Sequence, residues 1–223
     1  MFCQEETLML TLKGTPLSRP AALLGTAVAG LLALSSAQAA CSSPYNPVKE
    51  GLSRTYQTAV NGKTMSYTET VVKVTPSSYT YTNSIMPGAS STVKCTSKGI
   101  VNVASMSGTG MQVKEVRGVS YPPNLKVGST WTSGVTMQGN VQGQSVRTVM
   151  DTTSKVVGRE KVKVKAGTFD ALKVQIVMHS TMTMNGKQQK QPTVTSTAWL
   201  AEGVGMVKTT AAGTNVELVE YTK

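Results

Sequence analysis

From Ser53 onward the chain alternates between apolar and polar positions with a period of two. Leu172, Val174, Ile176 and Met178 interleave with Lys173, Gln175 and Val177. Met65 and Tyr67, Tyr79 and Tyr81, Val93 and Cys95, Val101 and Val103, and Val135 and Met137 repeat the pattern. Side chains on a strand point to opposite faces in turn, so this period predicts strands with one covered face. Threonine, valine, serine and tyrosine dominate, and these residues suit a pleated surface. Val72 and Val74 run out of phase with Met65 and Tyr67, which predicts a bulge near Glu69–Val71. Asn61-Gly62 and Asn185-Gly186 sit between strand-like runs and predict tight hairpins. Pro76, Pro87-Gly88, Pro122-Pro123-Asn124 and Gly128 mark other breaks. No stretch after Ala40 carries a capped 3.6-residue stripe. The expected fold is all-β, an antiparallel curved sheet forming a β-roll or open barrel.

One hairpin can be set in register from the pattern. Arg159, Lys161, Lys163 and Lys165 alternate with Glu160, Val162 and Val164, and the next strand starts near Phe169. If Val162 and Val164 share a face with Leu172 and Val174, the connecting loop holds an odd number of residues. The expected loop is therefore Ala166-Gly167-Thr168, with Gly167 at positive φ.

The first forty residues read differently. Ala21–Leu34 is a short apolar stretch, preceded by Lys13 and Arg19 and followed by Ala37-Gln38-Ala39. A positive region, an apolar core and an A-x-A site describe a secretory signal peptide, with cleavage expected before Ala40. Translation from Met9 instead of Met1 would remove Glu5 and Glu6 and leave a conventional leader. The expected organisation is a signal peptide over 1–39, an irregular arm over 40–51 and a single β-domain over 52–223. No apolar run after the leader reaches the roughly 20 residues that span a bilayer.

Export changes the reading of the cysteines. Cys3 leaves with the leader, so Cys41 and Cys95 remain, and in an oxidising compartment they are expected to form one disulfide. The alternative is a lipoprotein acylated at Cys41. Gln38 stands three before that cysteine, where a large aliphatic residue would suit lipidation.

Three segments in order carry a family resemblance: YPPNLKVGSTW (Tyr121–Trp131), VVGREKVKVKAGTFDALKV (Val156–Val174) and TAWLAEGVGMVK (Thr197–Lys208), followed by VELVEY. Over roughly Tyr121–Tyr221 the chain resembles a TapB-like family of exported bacterial β-proteins of unknown function. The resemblance implies a curved β-roll or open barrel in the cell envelope, and it implies no catalytic residues. Trp131 and Trp199 then read as large apolar bodies with one donor each, suited to the ends of a core.

Composition narrows the chemistry. The single histidine, His179, excludes a histidine-built metal site or a two-histidine mechanism. Acid pairs are scarce and no G-x-S-x-G elbow is present, so an enzyme is not expected. No cofactor and no metal are expected either. Met178, Met182 and Met184 lie close together, and thioethers suit copper(I), but methionine filling an irregular core is the preferred reading. The chain carries 22 basic against 11 acidic residues, a net charge of +11. Arg159, Lys161, Lys163 and Lys165, extended by Lys173, could form a row that binds anionic envelope polymers or headgroups. Aromatic content is 5%, too low for base stacking, so sequence-specific nucleic-acid binding is not expected. The leading expectation is an exported, non-enzymatic protein of the periplasm or cell envelope, holding an apolar or amphiphilic envelope ligand such as a lipid. The other is a structural protein that associates with anionic polymers through the basic strand face.

Overall fold

The computed structural model describes residues 41–60, 63–101 and 111–222. The chain divides into two units, Met1–Ser35 and Ser36–Lys223, and every described residue falls in the second. The signal peptide with its cleavage site, the Asn61-Gly62 turn and Val103 lie outside the described residues.

The fold is all-β. Thirteen strands follow in chain order: β1 (Ser53–Val60), β2 (Lys63–Thr75), β3 (Ser78–Asn83), β4 (Ser90–Thr96), β5 (Gly99–Val101), β6 (Met111–Gly118), β7 (Thr130–Val141), β8 (Gln144–Val164), β9 (Gly167–Met184), β10 (Lys187–Lys190), β11 (Val194–Ala201), β12 (Gly205–Ala211) and β13 (Thr214–Tyr221). They form one antiparallel sheet ordered β5-β4-β3-β2-β1-β13-β12-β11-β9-β8-β7-β6, with β10 pairing outside that path on β9. No helix among the described residues is long and apolar enough to cross a membrane.

The two ends of the sheet meet. Ile100 on β5 bridges to Tyr121, just beyond β6, through Ile100 N–H to Tyr121 O at 2.9 Å and Ser120 N–H to Ile100 O at 2.7 Å. The sheet is therefore a nearly closed barrel. Gly99 enables this contact: its φ is +130°, and a Cβ there would overlap the Tyr121 carbonyl oxygen.

Three apolar clusters fill the interior. One gathers Tyr56, Val162, Val164, Ala171, Val207 and Leu218. A second gathers Tyr45, Leu125, Val156, Leu172, Val174 and Leu200, and Met206 packs against both. The third holds Cys41, Val93, Cys95 and Ile100, with Tyr121 packed against it and against the second. Cys41 and Cys95 are joined by a disulfide, Cα to Cα 5.0 Å. The bond ties the segment before β1 to β4. That segment is also held by Gly203 N–H to Pro44 O at 2.8 Å and Gly51 N–H to Val71 O at 2.9 Å.

The β8–β9 hairpin corrects the expected register. Val164 pairs with Gly167 and Val162 with Phe169, so the connection is the two-residue turn Lys165-Ala166. Lys165 therefore sits in the turn, beyond the strand row. The odd residue is in the strand instead, at a bulge between Val156 and Gly158. Below it Val162 and Val164 share a cluster with Ala171 and Phe169; above it Val156 joins Leu172 and Val174. Ala171 and Leu172 are consecutive yet both fully buried, so the hairpin is covered on both faces at this level. Gly167 does take a positive φ, +138°. The β2 bulge falls between Val71 and Lys73, beside the expected place. Asn185-Gly186 forms the expected tight hairpin, with φ of +47° and +78°.

Candidate functional site: two chambers inside the barrel

The β1–β2 hairpin sets the first chamber. Val60 pairs with Lys63, which places Arg54 opposite Glu69 and Tyr56 opposite Tyr67. Arg54 is fixed by two backbone acceptors, Nε to Val204 O and Nη2 to Pro47 O, both at 2.8 Å. Tyr56 is buried and donates its hydroxyl to Met206 O at 3.2 Å. Its ring lies 5.4 Å from that of Tyr67. Arg54, Tyr56 and Glu69, with Tyr79, Tyr81 and Tyr121, line a cavity of about 160 Å³.

Burial governs the electrostatics of this chamber. Desolvation raises the Glu69 carboxyl above its ordinary range, and the Arg54 charge only partly opposes it. Burial likewise raises the phenols of Tyr56, Tyr67 and Tyr121. Tyr79 is pushed up to about 12 by burial, with Tyr81 adding to the effect. The Asn46 side-chain amide beside the Tyr79 hydroxyl offsets part of that shift, and its Nδ2 is buried.

The second chamber lies across Tyr121. Trp131, Ser154 and Ile176 stand in register across β7, β8 and β9. With Val174, Leu200 and Tyr121 they line a cavity of about 180 Å³. The Trp131 indole N–H donates to Ser120 O at 3.0 Å, so its polar edge is satisfied and its ring is free to serve as wall. One chamber thus presents charge, hydroxyls and an amide; the other presents mostly apolar surface; and Tyr121 stands between them.

The basic residues singled out from the sequence do not form one row. Arg159 pairs with Asp170 at 3.3 Å and Glu202 at 3.9 Å, and donates to Tyr45 Oη at 3.1 Å. Lys173 lies opposite Gly158, on the other face from Arg159, so it does not extend the row. It pairs with Glu160 at 3.4 Å and stands 5.6 Å from the Trp199 ring centre. The Trp199 indole donates to Glu160 at 2.6 Å, and this bond is the main cause holding the Glu160 carboxyl below its ordinary range. Lys165 donates to Gln57. Lys161 and Lys163 remain exposed on β8. His179 is exposed, opposite Asp151, with Nδ1 3.0 Å from Thr193 Oγ1.

Sequence reasoning missed the chamber residues Arg54, Glu69, Asn46 and the tyrosines. Part of the signal was present: reading the Asn61-Gly62 sequence as a two-residue connection pairs Val60 with Lys63 and so Arg54 with Glu69. Tyr79 and Tyr81 follow from the next hairpin, β2 with β3, whereas Tyr121 comes from long-range closure.

Among solved structures, the chain is similar to a candidate lipoprotein from Parabacteroides distasonis, with TM-score 0.53 and 17% identity, covering 81% of this chain and 99% of that one. A candidate exported protein with YmcC-like fold from Bacteroides fragilis aligns with TM-score 0.47 and 17% identity over 79% and 98% of the two chains. The hypothetical lipoprotein YmcC from Escherichia coli aligns with TM-score 0.43 and 11% identity over 77% and 85%. No curated protein matches. The sequence pattern of the DUF3108-like family matches residues 82–223, a longer stretch than the three motifs that carried the resemblance, and by that match the chain belongs to the DUF3108-like family.

Proposed function

We propose that the protein is an exported, non-enzymatic envelope protein that holds an amphiphilic envelope ligand, polar end in the Arg54 chamber and apolar part in the Trp131 chamber. The observation that carries this reading is the pairing of a polar and an apolar cavity on either side of Tyr121. Ligand sites are mostly apolar, with a few placed polar groups that fix orientation. A ligand acceptor beside the buried Asn46 Nδ2 would help to orient the polar end. Export rests on the leader pattern and agrees with the Parabacteroides distasonis candidate lipoprotein of similar fold. The TapB-like affinity is part of the same proposal.

The test uses the two tryptophans. In a Trp199→Phe background, emission reports only Trp131. Titration with a single-chain lysophospholipid below its micelle concentration should give a saturable change in that emission. Ser154→Phe, which fills the apolar chamber, should abolish it. No saturable change in the parent, or an equal change in the filled variant, overturns the reading.

The second reading, association with anionic envelope polymers, draws on the net charge and on Lys161 and Lys163. The carboxylate pairs at Arg159 and Lys173 take charge out of that surface. Retention on an anionic polymer at physiological salt that is lost in Lys161→Gln/Lys163→Gln would favour it.

A further inference from the structure

The chain carries twelve methionines, and the register gathers half of them on one sheet face. On β8, Val146, Thr148, Met150 and Thr152 share a face. Across β7, Met137 lies opposite Thr148; across β9, Met184, Met182 and Met178 lie opposite Val146, Thr148 and Thr152. Met111 on β6 lies opposite Gly139, which is opposite Val146. All six therefore point the same way. The pairing of β8 with β9 has no irregularity between Val146 and Val156, so this face is continuous.

Three of these residues surround one point. Met137 and Met182 flank Thr148 from the two neighbouring strands, and Met150 is two residues further along β8. Strand spacing puts the Met137 and Met182 backbones about 9–10 Å apart. Met150 is a diagonal neighbour of each, at about 7–8 Å. A methionine side chain has three rotatable bonds, enough for three thioethers to meet above Thr148. On β6 to β9 the trio's face-neighbours, Val113, Val135, Gly139, Val146, Ser180 and Met184, carry no charge; across β10, Gln189 lies opposite Met182 and Lys187 opposite Met184. Met137 is 8% exposed, and Met150 and Met182 are half-buried, so the point is shielded without being sealed.

From this arrangement we infer that Met137, Met150 and Met182 form a thioether site for a soft monovalent cation, copper(I) or its analogue silver(I). Thioethers select soft ions, and a neutral ligand set suits a single charge better than a divalent hard ion. Among the described residues no group of three His, Cys, Asp or Glu side chains is placed to hold a metal, so a hard or borderline ion has no competing site there. Thioethers also do not pair oxidatively with each other, so the set persists where Cys41 and Cys95 are joined. This site is separate from the two chambers and does not rest on the amphiphile reading.

The experiment titrates the full chain, carrying Cys3→Ser so that no thiol competes, with silver(I), and reads stoichiometry by native mass spectrometry and affinity by competition. The expected result is one tightly held silver(I). Met137→Leu/Met150→Leu/Met182→Leu should weaken it by more than about a hundredfold, beyond what the loss of an outer-shell partner costs. Leucine keeps the apolar volume, and thermal unfolding checks that the variant folds. Met65→Leu, on β2, should leave binding unchanged. In the unsubstituted methionines, silver(I) should shift the methyl resonances of Met137, Met150 and Met182 and spare Met65, a readout that needs no mutation. Absence of silver(I) binding, equal binding by the triple variant, or shifts confined to other methionines overturns the site.

Discussion

Removal of the Cys41–Cys95 bond has a cost that can be worked from the chain. The two residues are 54 apart in sequence. In the chain-entropy description a cross-link closing a loop of that size takes about 14 cal/mol/K from the unfolded ensemble, or about 4 kcal/mol at 25 °C. A single domain is stable by roughly 5–15 kcal/mol in total, so the bond supplies a large share. Both sulfurs are buried among Val93 and Ile100. Cys41→Ala/Cys95→Ala is preferable to serine here, because it adds no unpaired hydroxyl to an apolar cluster. Urea unfolding of the oxidised protein, the reduced protein and the double variant gives the comparison, with free energies taken by linear extrapolation. The expected loss is about 4 kcal/mol in both perturbed forms. A loss below about 1 kcal/mol would refute the loop-entropy reasoning, since it would mean that the unfolded chain already keeps these ends together. Intact mass of the protein from its native host adds a check: an acylated Cys41 would leave no bond to break.

Other outcomes follow from single features. Gly99→Ala must fit a Cβ against the Tyr121 carbonyl at a φ of +130°, and should cost about 1–3 kcal/mol while raising hydrogen exchange at the Ile100 amide. Leu218→Ala, at a fully buried position, should cost about 2–5 kcal/mol in urea unfolding. Arg117→Met should leave the urea midpoint almost unchanged, because its pairs with Glu115 and Asp151 are solvent-exposed and screened. Tyr56, Tyr79 and Tyr121 have raised phenol pKa values in the folded state. A raised folded pKa means that their contribution to stability is complete below the ordinary value of 10.0 and is lost as pH rises above it, for Tyr79 through about 12. Tyrosinate absorbance followed with circular dichroism should show these phenols ionising together with unfolding; complete, reversible ionisation near pH 10 with an intact sheet would contradict the burial argument.

The legible part of the fold was its period. The alternation from Leu172 to Met178 survives intact on β9, and Asn185-Gly186 turns as its residue types require. The β8–β9 register was misread for a specific reason. An odd residue had to be absorbed somewhere between Val156 and Leu172, and a loop and a bulge absorb it equally well in a one-dimensional pattern. The structure places it at Val157, between two clusters that cover the hairpin on both faces, and that coverage is a tertiary property. The basic row lost Lys173 on the same ground: the two-residue turn, with the odd residue left to the bulge beyond it, sets Lys173 opposite Gly158 and off the face of Arg159, Lys161 and Lys163. The chamber was partly legible: Arg54 opposite Glu69, and Tyr79 and Tyr81 on the next strand, follow from neighbouring hairpins, but Tyr121 joins them only after the sheet has curled round to its other end.

Tyr121 has two duties whose combination has a thermodynamic consequence. Its backbone makes the bridge to Ile100 that joins the two ends of the sheet, and its ring is a wall of both cavities. Occupancy and closure are therefore linked quantities. A molecule that presses on the ring in the joined state alone lowers the free energy of that state by mass action, and a joined sheet returns the same factor in affinity. The circumference of the barrel becomes a gauge of what it contains, and amide exchange at Ile100 is where that gauge is read.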